Sequence, residues 1–384
     1  MTRPKSALLT LLESVSYKRV LEAPEPDLGL AEHRPYPFLA VVGQGEMKLA
    51  LLLAIINPAV GGVLLIGPRG TGKTTAVRSL FTLLPHIEVS DCDESVLPAD
   101  LAQLPAEEAK YLYPDCYDKY QRGESISHYE AVKLIELPLN ARLEDVIGGI
   151  NERAAINTQR VRVERGILSR ADNHLLYIDE VNLLDDQIVD AILDAAAAGS
   201  YTVRRGAVAG TYRSRFVLIG SMNPEEGRLR PQILDRFGLR VTVRGLMDAD
   251  ERAEVYRRAL SYRQNPTRFL RQWEQETADV RQEIALAREV LQDTRLTEAA
   301  LSAGLELVRR LEIDSHRSEY TMFEAARAYA AADLRTEVEV SDIQAVAPLA
   351  LRQRRSEFMS NFFTAQEKED AQITRLMAEI VPAG

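Results

Sequence analysis

Up to about Leu246, short unbroken apolar runs alternate with amphipathic stretches; beyond it, helical periodicity takes over. The apolar runs predict strands at 63–66, 87–90, 132–137, 175–179, 216–220 and 240–243. VLLI, LLYI and FVLI show no polar alternation, the pattern of strands buried on both faces of a parallel sheet. The apolar run from Leu49, LALLLAIINPAVGGVLLIG, is interrupted by Asn57-Pro58 and Gly61-Gly62 and reads as helix, turn and buried strand. No run reaches the roughly 18 apolar residues of a membrane span. Asp248 with Glu251 predicts a capped helix to Leu260, and the polar stretch SYRQNPTRFLRQWEQETAD reads as a linker. Val280, Ile284, Ala287 and Leu291 then form a stripe at i, i+4, i+7 and i+11, with further helices predicted over 297–312, 321–333 and 341–353. The expected organisation is an N-terminal arm with a short helix (1–35), an α/β domain (36–246), a connecting helix and linker (247–277) and a C-terminal helical domain (278–384).

Composition narrows the picture. The 384 residues exceed what one core comfortably holds, and 46% hydrophobic with 27% charged residues excludes a chain disordered throughout. Forty-seven basic against 57 acidic residues give a formal charge of -10, which argues against nucleic-acid binding through bulk positive charge. The first residues carry a short apolar stretch that leads into charge with no cleavage site, so neither a secretory leader nor membrane insertion is expected. Cys92 and Cys116 are too few for a disulfide scaffold or a four-cysteine zinc site. Among Asp91, Asp93, Asp115 and Asp118 they read as ordinary loop thiols, with a thiol-carboxylate metal site as the alternative, and a reducing cytoplasm is the expected compartment.

The chemistry begins at GPRGTGKT, residues 67–74, which follows a predicted strand and opens a predicted helix. Gly67, Gly70 and Gly72 let the loop curl so that its N–H groups, with those of Thr71 and Thr75 at the helix start, face phosphate oxygens. Lys73 would reach the β and γ phosphates of ATP, and Thr74 would ligate Mg²⁺. HLLYIDE ends a strand in two carboxylates: Asp179 would hold Mg²⁺ through water, and Glu180 would orient and deprotonate the attacking water. Asn223, after the next strand, is placed to sense the γ phosphate or the water, or serves only as a turn residue before Pro224. Asp235-Arg236 end a short helix opened by Pro231; Arg236 would either serve a neighbouring subunit's phosphate or merely favour the helix dipole. His33, His86, His128, His174 and His316 form no H-E-x-x-H or similar pair, so no histidine-built metal site is expected here.

These residues, with YPFLAVVGQ, LPLNARLEDVIGGINERAA, GILSRADNHLLYIDEVNLLDDQIVDAILDAAAAGSYTVRR and GSMNPEEGRLRPQILDRFGL, resemble the AAA+ subunit of magnesium chelatase over about Tyr36 to Leu351. The resemblance implies an α/β P-loop core with a mostly parallel five-stranded sheet and a C-terminal helical lid. It also implies ATP and Mg²⁺ as cofactors, a homo-oligomeric ring with six members expected, a partner with an integrin-like domain, and a porphyrin-binding partner. On it, Arg236 becomes an arginine finger, Arg317 in DSHRSE the lid arginine that senses phosphate, and Val42 and Gly43 part of the adenine pocket. Ile147 to Val163 and Tyr201 to Val208 correspond to hairpins. Two departures stand out: the lid motif usually reads close to DGLRGD, and the 90–129 segment differs from the family's DPFNSDP type. The function expected is therefore the ATP-hydrolysing motor that drives Mg²⁺ insertion into protoporphyrin IX. The alternatives are a MoxR-like or cobalt-chelatase-like ATPase working with an integrin-like partner on another client, or a binding module that uses ATP only to assemble.

Overall fold

The computed structural model describes residues 35–92, 96–149, 165–205, 208–227, 229–355 and 357–380. The predicted arm and the Ile147 to Val163 hairpin fall wholly or largely outside them.

Its first elements are α1 (Gly45–Ile56), β1 (Val63–Ile66), α2 (Lys73–Leu80) and β2 (Ile87–Ser90). Three short helices follow, α3 (Pro98–Gln103), α4 (Ala106–Leu112) and α5 (Pro114–Gln121), then β3 (Ser127–Glu130) and β4 (Leu134–Glu136). The core continues with α6 (Leu143–Ile147), α7 (Ile167–Arg170), β5 (Leu175–Ile178), α8 (Asp186–Ala198), the hairpin β6 (Ser200–Arg205) and β7 (Val208–Arg213), β8 (Val217–Met222), α9 (Pro231–Arg236) and β9 (Leu239–Thr242). The remainder is helical apart from two short strands: α10 (Ala249–Gln264), α11 (Pro266–Leu291), β10 (Arg295–Leu296), α12 (Glu298–Arg310), α13 (His316–Ala332), β11 (Glu337–Val338), α14 (Val340–Leu351) and α15 (Glu357–Ile380).

The main sheet has the order β4-β5-β8-β1-β9, and each of its pairings is parallel. Its inner strands are buried on both faces, as their unbroken apolar runs require. Val63, Leu65, Tyr177 and Ile219 face one side, where they meet α1, α2 and the lid helices; Leu64, Ile66, Ile178 and Leu218 face the other, against α6, α7 and α8. β2 is a strand as expected, but it pairs antiparallel with β3 outside the main sheet.

α1 is apolar around most of its circumference because it is sandwiched between sheet and lid. The lid is fastened there by polar reach as well: Arg288 donates to the Ile55 carbonyl at 2.6 and 2.9 Å, and Asn57 donates to Glu324. Asp248 caps α10 by accepting from the N–H groups of Asp250 and Glu251, as its spacing predicts. The stretch expected to be a linker is instead helical, broken only at Asn265-Pro266. Tyr262 and Phe269 pack their rings against Tyr36, and Trp273 packs against Phe269, giving a polar-looking segment an apolar anchor.

The 90–129 segment forms its own small core, with Cys92, Val96, Leu101, Ala109, Cys116 and Ile126 buried. Cys92 and Cys116, expected as ordinary loop thiols, are joined in a disulfide whose Cα atoms lie 6.1 Å apart. The chain between them folds back as three short helices, and this brings together two residues that the sequence separates by 24. With both sulfurs joined to each other, neither is left as a thiol for the thiol-carboxylate alternative, of which Asp93 lies outside the described residues.

Candidate nucleotide site

Gly67 extends β1 beyond its last paired residue, donating to the Met222 carbonyl at 3.1 Å. A Cβ on it would sit 2.1 Å from the Val243 carbonyl oxygen, so β9 packs too close for any other residue. Gly70 and Gly72 have φ of +77° and +85° with open space where a Cβ would point; their requirement is conformational. The loop they shape delivers Lys73 to the first turn of α2. Lys73 Nζ donates to the carbonyls of Gly67 at 2.6 Å and Pro68 at 2.8 Å. Burial pulls its ammonium below the ordinary lysine range, opposed by the carboxylates of Asp179, Glu180 and Glu226.

β5 ends beside this loop and presents Asp179 and Glu180. Asp179 accepts from Tyr177 Oη at 2.8 Å and from Ser221 Oγ, while its other oxygen lies 3.5 Å from Thr74 Oγ1. Burial pushes the Tyr177 phenol well above its usual range, which keeps it a donor to Asp179. Thr74 and Asp179 are thus hard oxygen donors held face to face, a set that suits Mg²⁺. Glu180 turns the chain with φ of +53° and anchors its N–H on Ser221 Oγ at 3.1 Å. That left-handed turn carries its side chain to the cavity wall.

Asn223 follows β8, the strand between β1 and β5, and lines the same cavity. The cavity, of about 240 Å³, is walled by residues 69–75, Asp179, Glu180 and residues 221–223. It shares Gly70, Thr71, Gly72 and Thr75 with a second one of about 1080 Å³ that Val42, Leu246 and Tyr262 help to enclose. Gly43, the residue after Val42, does not itself line that cavity; it has φ of +59°, with Leu246 Cδ2 2.6 Å from where a Cβ would be. A polar, lysine-bearing chamber opening into a larger, more apolar one matches a triphosphate joined to a purine nucleoside.

Two predicted residues lie elsewhere. Arg236 points along its own chain's α8, 2.7 Å from Asp194 Oδ1 and 3.5 Å from Asp190 Oδ1. Arg317 opens α13 and donates to the Asp235 carbonyl at 3.4 Å, so it meets the end of α9 and does not line the phosphate chamber. The residues lining both cavities all come from 35–262, before the lid. The cause is packing: α13 is clamped against α1 and the sheet, so its first turn meets α9.

Three contributors escaped sequence reasoning. Tyr177 and Ser221 brace Asp179, and Arg69 ties the loop to Glu180 and Glu226. Arg69 lay in view inside GPRGTGKT and Glu226 inside NPEEG, but only the adjacency of β1, β8 and β5 joins them. Of the histidines, His174 is buried against Glu130, and burial pulls it below its usual range; among the described residues no histidine lines either nucleotide cavity.

A phosphate loop after an inner strand of a parallel sheet, an acidic pair at the next-but-one strand tip, a polar residue after the strand between, and a following helical domain define an AAA+ ATPase. Comparison with known proteins narrows the class. The family described as Magnesium chelatase, subunit ChlI matches residues 38–115 and 149–234, and the AAA lid domain family matches 305–376. The chain is 42% identical over 330 residues to the magnesium-chelatase subunit ChlI homolog of Methanocaldococcus jannaschii, covering 84% of this chain and 87% of that one. It is also 42% identical over 320 residues to the magnesium-chelatase 38 kDa subunit of Acidiphilium rubrum, covering 83% and 90%. A chain in a structure of the complex between subunits BchI and BchD of magnesium chelatase matches at 38% identity and a TM-score of 0.47, covering 84% of this chain and 97% of that one. The chain belongs to the ChlI family of magnesium-chelatase ATPase subunits.

Proposed function

We propose that the chain hydrolyses ATP at the interfaces of a homo-oligomeric ring, and that this turnover drives insertion of Mg²⁺, as substrate, into a porphyrin held by a partner subunit. The observation that carries the reading is the meeting of Lys73, the Thr74–Asp179 pair, Glu180 and Asn223 around one cavity in a chain 42% identical to relatives named as magnesium-chelatase subunits. The loop N–H groups and Lys73 bind and orient the phosphates; Thr74 and Asp179 would hold the cofactor Mg²⁺, which screens the phosphate charge. Glu180 takes a proton from the attacking water, and Asn223 orients that water or the γ phosphate. Arg236 on α9 and Arg317, which reaches the Asp235 carbonyl, both lie away from their own chain's cavity and suit delivery to a neighbour's nucleotide. Names that describe the relatives as magnesium-chelatase subunits support partner subunits, and the resemblance in sequence implies that one carries an integrin-like domain and another binds porphyrin. Among the described residues no helix is long and apolar enough to cross a membrane.

The lid sequence DSHRSE and the disulfide-linked 90–129 module favour a second reading, an ATPase of this family serving another client through an integrin-like partner. Reconstitution separates them. With the porphyrin-binding and integrin-like partners and protoporphyrin IX, Mg-porphyrin fluorescence should rise with ATP and stay flat with a non-hydrolysable analogue. Steady ATP turnover with no Mg-porphyrin formed would transfer the assignment to the second reading. Within the site, Glu180→Gln should keep ATP affinity while turnover falls by about 100-fold or more. Retention of over half the wild-type rate would remove Glu180 from the role of base.

A further inference from the structure

The two groups that must answer a γ phosphate, Glu180 and Asn223, are both already engaged, and both lead to one carboxylate. Asn223 Nδ2 donates to Glu226 Oε1 at 3.1 Å, so one of the two amide hydrogens that could meet phosphate or water is taken up by Glu226. Arg69, in the phosphate loop and 71% exposed, lies 2.6 Å from the same Glu226 oxygen and 3.2 Å from Glu180 Oε1. Its guanidinium is held above its usual range by Glu226 first and Glu180 second.

We propose that Glu226 is a positioning residue acting as a γ-phosphate surrogate: a carboxylate that occupies Asn223 and Arg69 until a nucleotide carrying a third phosphate displaces it. The chemistry matches, since carboxylate and phosphate oxygens compete for the same amide and guanidinium donors. So does the position. Arg69 and Asn223 line the phosphate chamber while Glu226 sits in the turn just behind it, after Pro224.

The turn is held at a cost. Glu226 Oε2 is buried without a hydrogen-bond partner, as are both polar atoms of the Asn182 side chain, whose Nδ2 lies 3.5 Å from where a Cβ of Gly227 would be. Orphaned polar atoms on both sides of one short turn mark an arrangement that leaves hydrogen-bonding capacity unused and yields to a better anion. ADP, lacking the third phosphate, would not engage these donors and would leave the latch shut. The site would thereby discriminate ATP from ADP using residues of the core alone, without the lid.

The proposal rests on reading Asn223 as facing the γ phosphate, and its test reads binding, not turnover. Glu226→Gln keeps shape and removes the competing charge. Calorimetric titration with a non-hydrolysable ATP analogue should show tightening by about two- to fivefold, the scale of one exposed charge pair, with ADP affinity unchanged. In an Arg69→Gln background most of that gain should vanish, because the two residues act as one unit. Unchanged affinity for the ATP analogue, weaker binding of it, or a parallel change for both nucleotides would each overturn the surrogate role. Failure of the wider assignment would show separately, as undiminished hydrolysis by Glu180→Gln.

Discussion

Lys48 shows at the scale of one residue how packing opposes charge. It sits in α1 with 8% of its surface exposed, and burial, aided by the nearby Arg258, lowers its pKa to about 8. In the unfolded chain it keeps the ordinary value of 10.5. Below about pH 8 both states are protonated and the fold bears the full desolvation penalty; as pH rises from 8 towards 10.5 the unfolded state binds more protons, and the penalty fades. Lys48→Met should therefore raise stability near pH 7 by about 1–3 kcal/mol. The advantage over the native chain should shrink in denaturant melts run at successively higher pH through that window. An advantage independent of pH would mean that the gain comes from packing and not from removing a buried charge.

At the scale of elements, the junction of α9, β9 and the end of α14 is held by an exchange of arginines. Arg354 from the lid side donates to the side chain and carbonyl of Asp235 and to the carbonyls of Phe237 and Gly238. Arg240 from β9 reaches back to the carbonyls of Arg352 and Gln353, at 3.2 and 2.6 Å. Both are buried, and burial pulls each below the usual arginine range, Arg240 to about 9 with Arg354 as the second cause. The single carboxylate of Asp235 lies near both, one residue before Arg236. Breaking the exchange strands buried carbonyls, so Arg354→Met should destabilise the chain by about 2–4 kcal/mol in chemical denaturation. A loss under about 0.5 kcal/mol, the range of ordinary surface changes, would show that solvent or neighbouring groups take over those carbonyls.

For the whole molecule, Arg236 lies outside its own chain's cavity, and the role proposed for it belongs to a neighbour's. Arg236 is paired with Asp190 and Asp194, and as a finger for a neighbour it must leave them when subunits associate. Arg236→Ala should bind ATP nearly as well as the native chain and lose most turnover, since such a finger contributes about 10³-fold or more. Mixing it with Lys73→Ala should restore activity. By random pairing, about one interface in four in an equal mixture joins an intact phosphate loop to an intact Arg236. No recovery in rings shown to be mixed would confine Arg236 to its own chain's α8. Arg317→Ala, on the same edge, should reduce turnover while the ring still forms; unchanged turnover and unchanged ATP and ADP affinities would leave it a surface arginine.

How far the sequence alone reached follows from distance along the chain. The phosphate loop was legible because its work is done by consecutive backbone positions: Gly70 and Gly72 are required by their own φ angles, and Lys73 and Thr74 follow directly. Asp179 and Glu180 were legible because a strand tip carries its chemistry with it, and the parallel sheet because runs without alternation cannot face water. What only the tertiary structure decided joins residues that no local pattern connects. Arg69 meets Glu180 across 111 positions, and Arg317 meets Asp235 across 82. The helical course of 261–279 depended on Tyr36 arriving to cover Tyr262 and Phe269, which a window of polar residues does not reveal. Cys92 and Cys116 pair because three short helices return the chain on itself. Propensity and periodicity act within a few turns of chain, whereas side-chain direction at a site is set by whichever elements the core packs beside it.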